Sequence, residues 1–178
     1  MSTRRNNVVD SHLSQIPEIG QWLWAIQDTR LRTMEELEKV TPAMIDWLPA
    51  EEESSIGTML YHIAAIEADW LYVEALEQEF PAEIAALFPY EIRDEQGNLL
   101  QVTGLSMDDH LNRLKLVRER LLDAYQQMDL AAFRHVRTFP HYDVTPEWVL
   151  HHLMQHEAEH RSQIGTLRIR ALRSQSTN

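Results

Sequence analysis

Four of the nine histidines fall in the stretch Trp148 to Arg170, WVLHHLMQHEAEHRSQIGTLRIR, and their spacing suits chemistry. Composition predicts one long helix there. Residues four apart on a helix stand one above the other on the same face. His156 and His160 have that spacing, and so do His152 and His156. Either pair can offer two imidazole nitrogens to one metal ion. His152 and His160 lie about 12 Å apart along a helix axis, too far to share an ion. Spacing alone leaves the choice between the two pairs open. His151 is turned away by about 100° and reads as a surface residue.

Val149, Leu153, His156, His160, Ile164 and Leu167 step by three or four, so both histidines occupy positions where a packed helix carries leucine. One buried neutral histidine with a hydrogen-bond partner is ordinary. Two stacked on an inward face are costly unless something organises them, and a metal ion does so. The same residues spell His156-Glu157-Ala158-Glu159-His160, the HExxH string of zinc proteases. That reading needs a third ligand downstream. The residues after His160, Arg161-Ser162-Gln163-Ile164-Gly165-Thr166, do not fit the extended protease motif, and no Asp, Glu or His follows them. The string therefore reads as coincidence, with Glu157 and Glu159 on a solvated face. A third ligand must come from upstream. His62 is the best candidate, because it alone lies within another apolar helical stripe, three beyond Met59 and four before Ile66. His110 near a helix start, His135 and His141 in a connector, and His12 near the N-terminus read as exposed or loop residues. His141 is the one of these closest in sequence to the last helix.

Four helices are predicted to position these side chains. The first carries Ile19, Leu23, Ile26, Leu31, Met34 and Leu37 at helical spacing and starts near Pro17. Trp22 and Trp24 point in different directions on it, so at least one should cover another element or a partner chain. Thr41-Pro42 opens a short turn that ends before Pro49. Ser54-Ser55 caps a second long helix expected to reach about Phe80, and Pro81 to Phe88 can form a short one. Tyr90 to Val102, centred on Gly97, reads as a hairpin or an extended loop. Ser106 to Asp109 starts a third long helix running to about Met128. A connector with an extended piece leads to Thr145-Pro146, the start of the last helix, expected to end near Leu172. The pattern is all-α: a four-helix bundle with at least one crossover connection. We expect a single domain over 1–178, with residues 1–10 and 173–178 flexible.

With 178 residues the chain can bury a sizeable core. Its net charge of −12 argues against nucleic acid and anionic membrane as partners. Cysteine is absent, which excludes thiolate ligation and a protein thiol nucleophile. Arg4 and Arg5 are followed by polar residues and no apolar core, and no run approaches a membrane span, so a cytoplasmic location is expected.

Two segments resemble the DinB/YfiT-like family: Ile56 to Glu67 with the following Trp70, and Glu147 to Ile164. Helix order and length agree, so the likeness spans most of the chain. The resemblance implies a DinB-type four-helix bundle with one divalent metal ion held by His62, His156 and His160. Nickel or zinc come first as the ion, with iron or manganese as alternatives. It also implies a homodimer, and activities like those of thiol-dependent relatives such as bacillithiol S-transferases and mycothiol-dependent isomerases. Three neutral imidazoles leave an ion with net positive charge and an open position. Such a site suits a transferase using a low-molecular-weight thiol cosubstrate, or a hydrolase, acting on a small molecule. The competing expectation is a non-catalytic stress-related or binding bundle with a structural metal or none. No residue is singled out as general base.

Overall fold

A computed structural model describes residues 8–49 and 54–175. The first long helix, α1 (Pro17–Leu37), opens on proline, whose missing N–H costs nothing at a helix start. The N-terminal segment crosses it closely: a Cβ on Gly20 would lie 2.1 Å from the Ser11 carbonyl oxygen, so only glycine fits there. A single turn, α2 (Pro42–Ile45), precedes α3 (Ile56–Asp69), which Ser55 caps by accepting from the Thr58 N–H at 3.1 Å. The α-helical part of this second long helix stops well short of the expected Phe80. From Trp70 to Ala75 it widens into a π-helical turn, and Glu77 then takes a left-handed conformation (φ 53°) that ends it. A short α4 (Ala82–Ala85) follows.

Residues 90–102 form an extended loop with a minimal hairpin at its tip. One bridge joins Arg93 to Leu99 around a turn in which Gly97 has φ 87°. The loop is fastened to α3 at both ends. The Tyr61 hydroxyl donates to the Tyr90 carbonyl at 2.9 Å and accepts its N–H at 3.0 Å, while Thr58 Oγ1 accepts the Val102 N–H at 3.0 Å. The third long helix, α5 (Met107–Gln127), carries a capping box between Ser106 and Asp109. The connector contains α6 (Leu130–Arg134) and a two-stranded antiparallel ladder of β1 (Arg137–Thr138) and β2 (Asp143–Val144). Thr145 then caps α7 (Pro146–Gln175), its Oγ1 accepting the Trp148 N–H at 3.1 Å. This last helix continues past the expected Leu172 to Gln175. Residues 1–7 and 176–178, where the chain ends were expected to be flexible, lie outside the described residues.

Side-chain pairings fix the topology. Trp22 meets Glu147, Arg30 meets Glu157 and Glu36 meets Arg168, so α1 and α7 run parallel. Arg113 lies over Tyr61 and Arg118 binds Glu67, so α3 and α5 run parallel too. His62 faces His156 and His160 while Trp70 faces Trp148 and His152, which makes α3 antiparallel to α7. The bundle is thus up-down-down-up, and the long connection carrying α4 and the 90–102 loop is the expected crossover.

The core has two apolar parts, one around Leu23, Leu71, Leu121 and Leu153, the other around Leu60, Ile63, Leu114 and Ile164. Between them lies an ionic layer to which each long helix gives one residue. Arg30 of α1 bonds Glu157 of α7 at 2.8 Å and Glu67 of α3 at 2.6 Å; Arg118 of α5 bonds the same two acids at 3.0 and 2.6 Å. Spare guanidinium N–H groups donate to the backbone carbonyls of Leu114 and Ile26, both at 2.9 Å. All four side chains are buried. Two positive and two negative charges cancel, and the added hydrogen bonds offset the desolvation that such a layer costs.

Candidate metal centre

His62 on α3 and His156 and His160 on α7 converge on one point. Nε2 of His156 lies 3.1 Å from Nε2 of His62 and 3.1 Å from Nε2 of His160. One ligand atom from each residue falls within 4.8 Å of both others. His62 is 3% exposed, whereas the other two are half-buried. The antiparallel packing brings the α3 histidine against the i, i+4 pair of α7.

Proton bookkeeping shows why this cluster suits a cation. Nδ1 of His160 lies 2.7 Å from Oε1 of Gln163, an acceptor, so Nδ1 carries a proton, and in the ring form that ligates metal Nε2 presents the lone pair. The Nε2 of His156 either carries a proton, which it can donate to one neighbour only, or carries none. With His160 neutral, in both cases at least one of the two 3.1 Å contacts is not a hydrogen bond. Burial is the main cause that pushes His62 down to about 4, with the charge of His160 adding to it. Burial likewise pushes His156 down to about 3, helped by His160 and His62. Both imidazoles are therefore neutral near pH 7, the form that ligates metal. Bonds of about 2.0–2.1 Å to one ion, at angles between about 90° and tetrahedral, imply nitrogen separations of roughly 2.8–3.4 Å, which brackets the two short contacts. The donor set fits a divalent metal ion. Outer support is uneven: Gln163 orients His160, while Nδ1 of His62 is buried with no hydrogen-bond partner among the described residues.

The remaining histidines divide differently from expectation. His152 stays out of the cluster: its ring stacks on Trp148 at 5.1 Å and packs on Trp70 at 4.3 Å, leaving it 6.1 Å from the His156 ring. His151 is half-buried and meets the edge of Trp22. His12, His135 and His141 are exposed, as their positions suggested. His110, read as exposed or in a loop, is instead 1% exposed, with neither ring nitrogen hydrogen-bonded among the described residues. The first turn of α5 packs inward here, so its nearness to a helix start did not imply solvent.

Glu157 is the clearest correction. It was placed on a solvated face with Glu159; Glu159 is exposed, but Glu157 is 1% exposed and both its oxygens bind arginines. Burial opposes its ionised form, yet Arg30 and Arg118 outweigh that and hold its carboxyl below the usual range. A carboxylate so occupied is no general base, which removes the protease reading on physical grounds. The ionic layer itself was missed. Its signal was in the sequence: Arg30 continues the Leu23–Ile26 stripe, and Glu67 and Arg118 likewise stand at inward spacing on their helices. Trp22 covers another element within the chain, donating from Nε1 to Glu147 at 3.1 Å.

Beside the cluster an open groove of about 430 Å³ has His160 in its wall. A larger one of about 550 Å³ lies between α1 and α5 over Arg30 and Arg118, but none of the three histidines lines it. No described helix is long and apolar enough to cross a membrane.

No curated protein matches the chain. A family model described as the DinB superfamily matches residues 25–164, a span that takes in all three clustered histidines and all four members of the ionic layer. The chain belongs to the DinB superfamily.

Proposed function

We propose that His62, His156 and His160 bind one divalent metal ion, nickel or zinc first, and that the protein is a metal-dependent enzyme acting on a small molecule. The observation that carries this reading is the meeting of the Nε2 atoms of His62, His156 and His160 at two 3.1 Å contacts, with the His62 and His156 imidazoles held neutral by burial. The groove beside His160 supports a reactive site over a closed structural one, because it leaves that side of the cluster open to ligand. When bound, the ion would act as a Lewis acid that lowers the pKa of a coordinated thiol or water.

The chain's own contributions are positional. Gln163 keeps the His160 proton on Nδ1, and so keeps Nε2 available to the ion. The ionic layer holds α1, α3, α5 and α7 in register around the cluster. Since the chain has no cysteine, a thiol nucleophile would be a small cosubstrate; a thiol S-transferase using one and a metal-dependent hydrolase are the two reaction classes this site suits.

Metal analysis of protein purified without a histidine tag tests the proposal. We expect close to one divalent ion per chain in wild type and near none in His62→Ala and His156→Ala. Full occupancy in both variants would overturn the ligand set. No uptake by wild type on titration would overturn the metal reading altogether.

A further inference from the structure

We propose that Asp69 and Glu74, with the Tyr142 hydroxyl beside them, form a binding site for a hydrated divalent cation of the calcium or magnesium kind, separate from the histidine cluster. The inference stands on other residues than the metal-centre reading and goes beyond it.

The π-helical turn builds the site. In an α-helix, residues five apart point about 140° away from each other, so two acids at that spacing fall on different faces. From Trp70 to Ala75 the backbone closes its hydrogen bonds at the wider spacing, and the Leu76 N–H donates to the Leu71 carbonyl at 3.0 Å. Residues five apart then share a face. Asp69 and Glu74 have that spacing, and the charge of Asp69 bears on both Glu74 and Tyr142. Tyr142 arrives from the connector ahead of α7. Its hydroxyl donates to Oε1 of Glu74 at 2.8 Å, and its ring stacks with Trp70 at 6.1 Å and with Phe139 at 5.4 Å.

Two like charges so placed call for a counter-charge. Glu74 is 5% exposed; Oε1 takes the Tyr142 hydroxyl, while Oε2 is buried with no hydrogen-bond partner among the described residues. A buried carboxylate is stable only when paired. No described arginine, lysine or histidine bears on either carboxyl: burial pushes Asp69 up, and burial, with the charge of Asp69 adding to it, pushes Glu74 up. Arg137, on the same connector as Tyr142, pairs with Glu77 instead. Oxygen donors select hard cations, and magnesium is commonly held by one or two carboxylates with water completing its shell. Asp69 is half-buried and Tyr142 is 43% exposed, so that water has room on the solvent side. Imidazole nitrogens prefer softer ions, so the two sites differ in what they take. Asp69 lies seven residues beyond His62, about 10 Å of helix. An ion here would tie the π-turn to the connector that leads into α7.

Terbium(III) is the probe, an oxygen-seeking ion that emits when it lies close to an excited indole or phenol. Trp70 adjoins Asp69, and Tyr142 bonds Glu74. The full chain is titrated in saturating zinc, which occupies the histidines. We expect saturable emission with close to one terbium per chain, displaced by calcium or magnesium. It should persist in His156→Ala and be lost in Asp69→Asn and Glu74→Gln. Both carboxylate substitutions keep side-chain size, and the glutamine amide still accepts from Tyr142. Calcium should also raise the urea midpoint of wild type and leave that of Asp69→Asn unchanged. No saturable emission from wild type, undiminished emission in both carboxylate variants, or a loss confined to His156→Ala would overturn the site. Failure of both calcium and magnesium to displace terbium would overturn its assignment to a divalent ion.

Discussion

Two adjacent residues in one helix, His156 and Glu157, have opposite fates. His156 turns to α3 and joins the histidine cluster, while Glu157 is turned about 100° around the axis toward α1 and α5. Read as a linear motif, the pair would be ligand and base. In three dimensions Glu157 is half of a structural charge layer. Glu157→Gln should therefore destabilise the fold by about 3–5 kcal/mol, because it leaves two guanidinium groups with one buried counter-charge. Metal content per folded chain should stay near one. Chemical denaturation and metal analysis of the same preparation check this, and a variant of wild-type stability would show that the layer contributes little.

His110 decides a question at the level of helix packing. It sits at the start of α5 where α3 approaches, and a Cβ on Gly57 would come within 3.2 Å of its Nε2. Burial, aided by the charge of Arg113, pushes His110 down to about 4, from an ordinary 6.5. The unfolded chain therefore takes up this proton first as pH falls. The stability that His110 contributes is complete above pH 6.5 and is lost as pH falls through 4. His62 and His156 act with the same sign. In metal-free protein the urea midpoint should fall between pH 7.5 and 4.5. His110→Leu, which removes two ring nitrogens unpaired among the described residues, should narrow that gap and raise the stability at pH 7.5 by about 1 kcal/mol. An unchanged gap would mean that His110 does not titrate in this range.

For the molecule as a whole, the proposed ion, shared by α3 and α7, would link ligand binding to global stability. With free metal at a hundred times the dissociation constant, the native state should gain about 2.7 kcal/mol. For a chain of this size that is a rise of roughly 5–10 °C in Tm. A chelator should reverse it in wild type and have no effect in His156→Ala. An equal chelator response in the variant would place the ion elsewhere. Homodimerisation remains our proposal from family membership alone, since Trp22, once a candidate for a partner contact, is engaged within its own chain. Sedimentation that detects only monomer at micromolar concentration would end it.

Local chemistry written along the chain determined much of this protein. Helix starts at Pro17, Ser55, Ser106 and Thr145 were legible because caps and prolines act on their own neighbours. The α7 histidines were legible as possible ligands because periodicity fixes which residues share a helix face. The choice between two overlapping pairs was not, since both have the same spacing; it needed the family resemblance and then the antiparallel docking of α3, which sets His62 against His156 and His160 and gives His152 to Trp70 and Trp148. The end of the second helix also escaped, because apolar spacing does not distinguish an α-helix from the π-helical turn at Trp70–Ala75. Tertiary structure alone decided which charges are buried. A carboxylate or guanidinium is stable inside only when a partner of opposite sign arrives from another helix, and the partners of Arg30 lie 37 and 127 residues away.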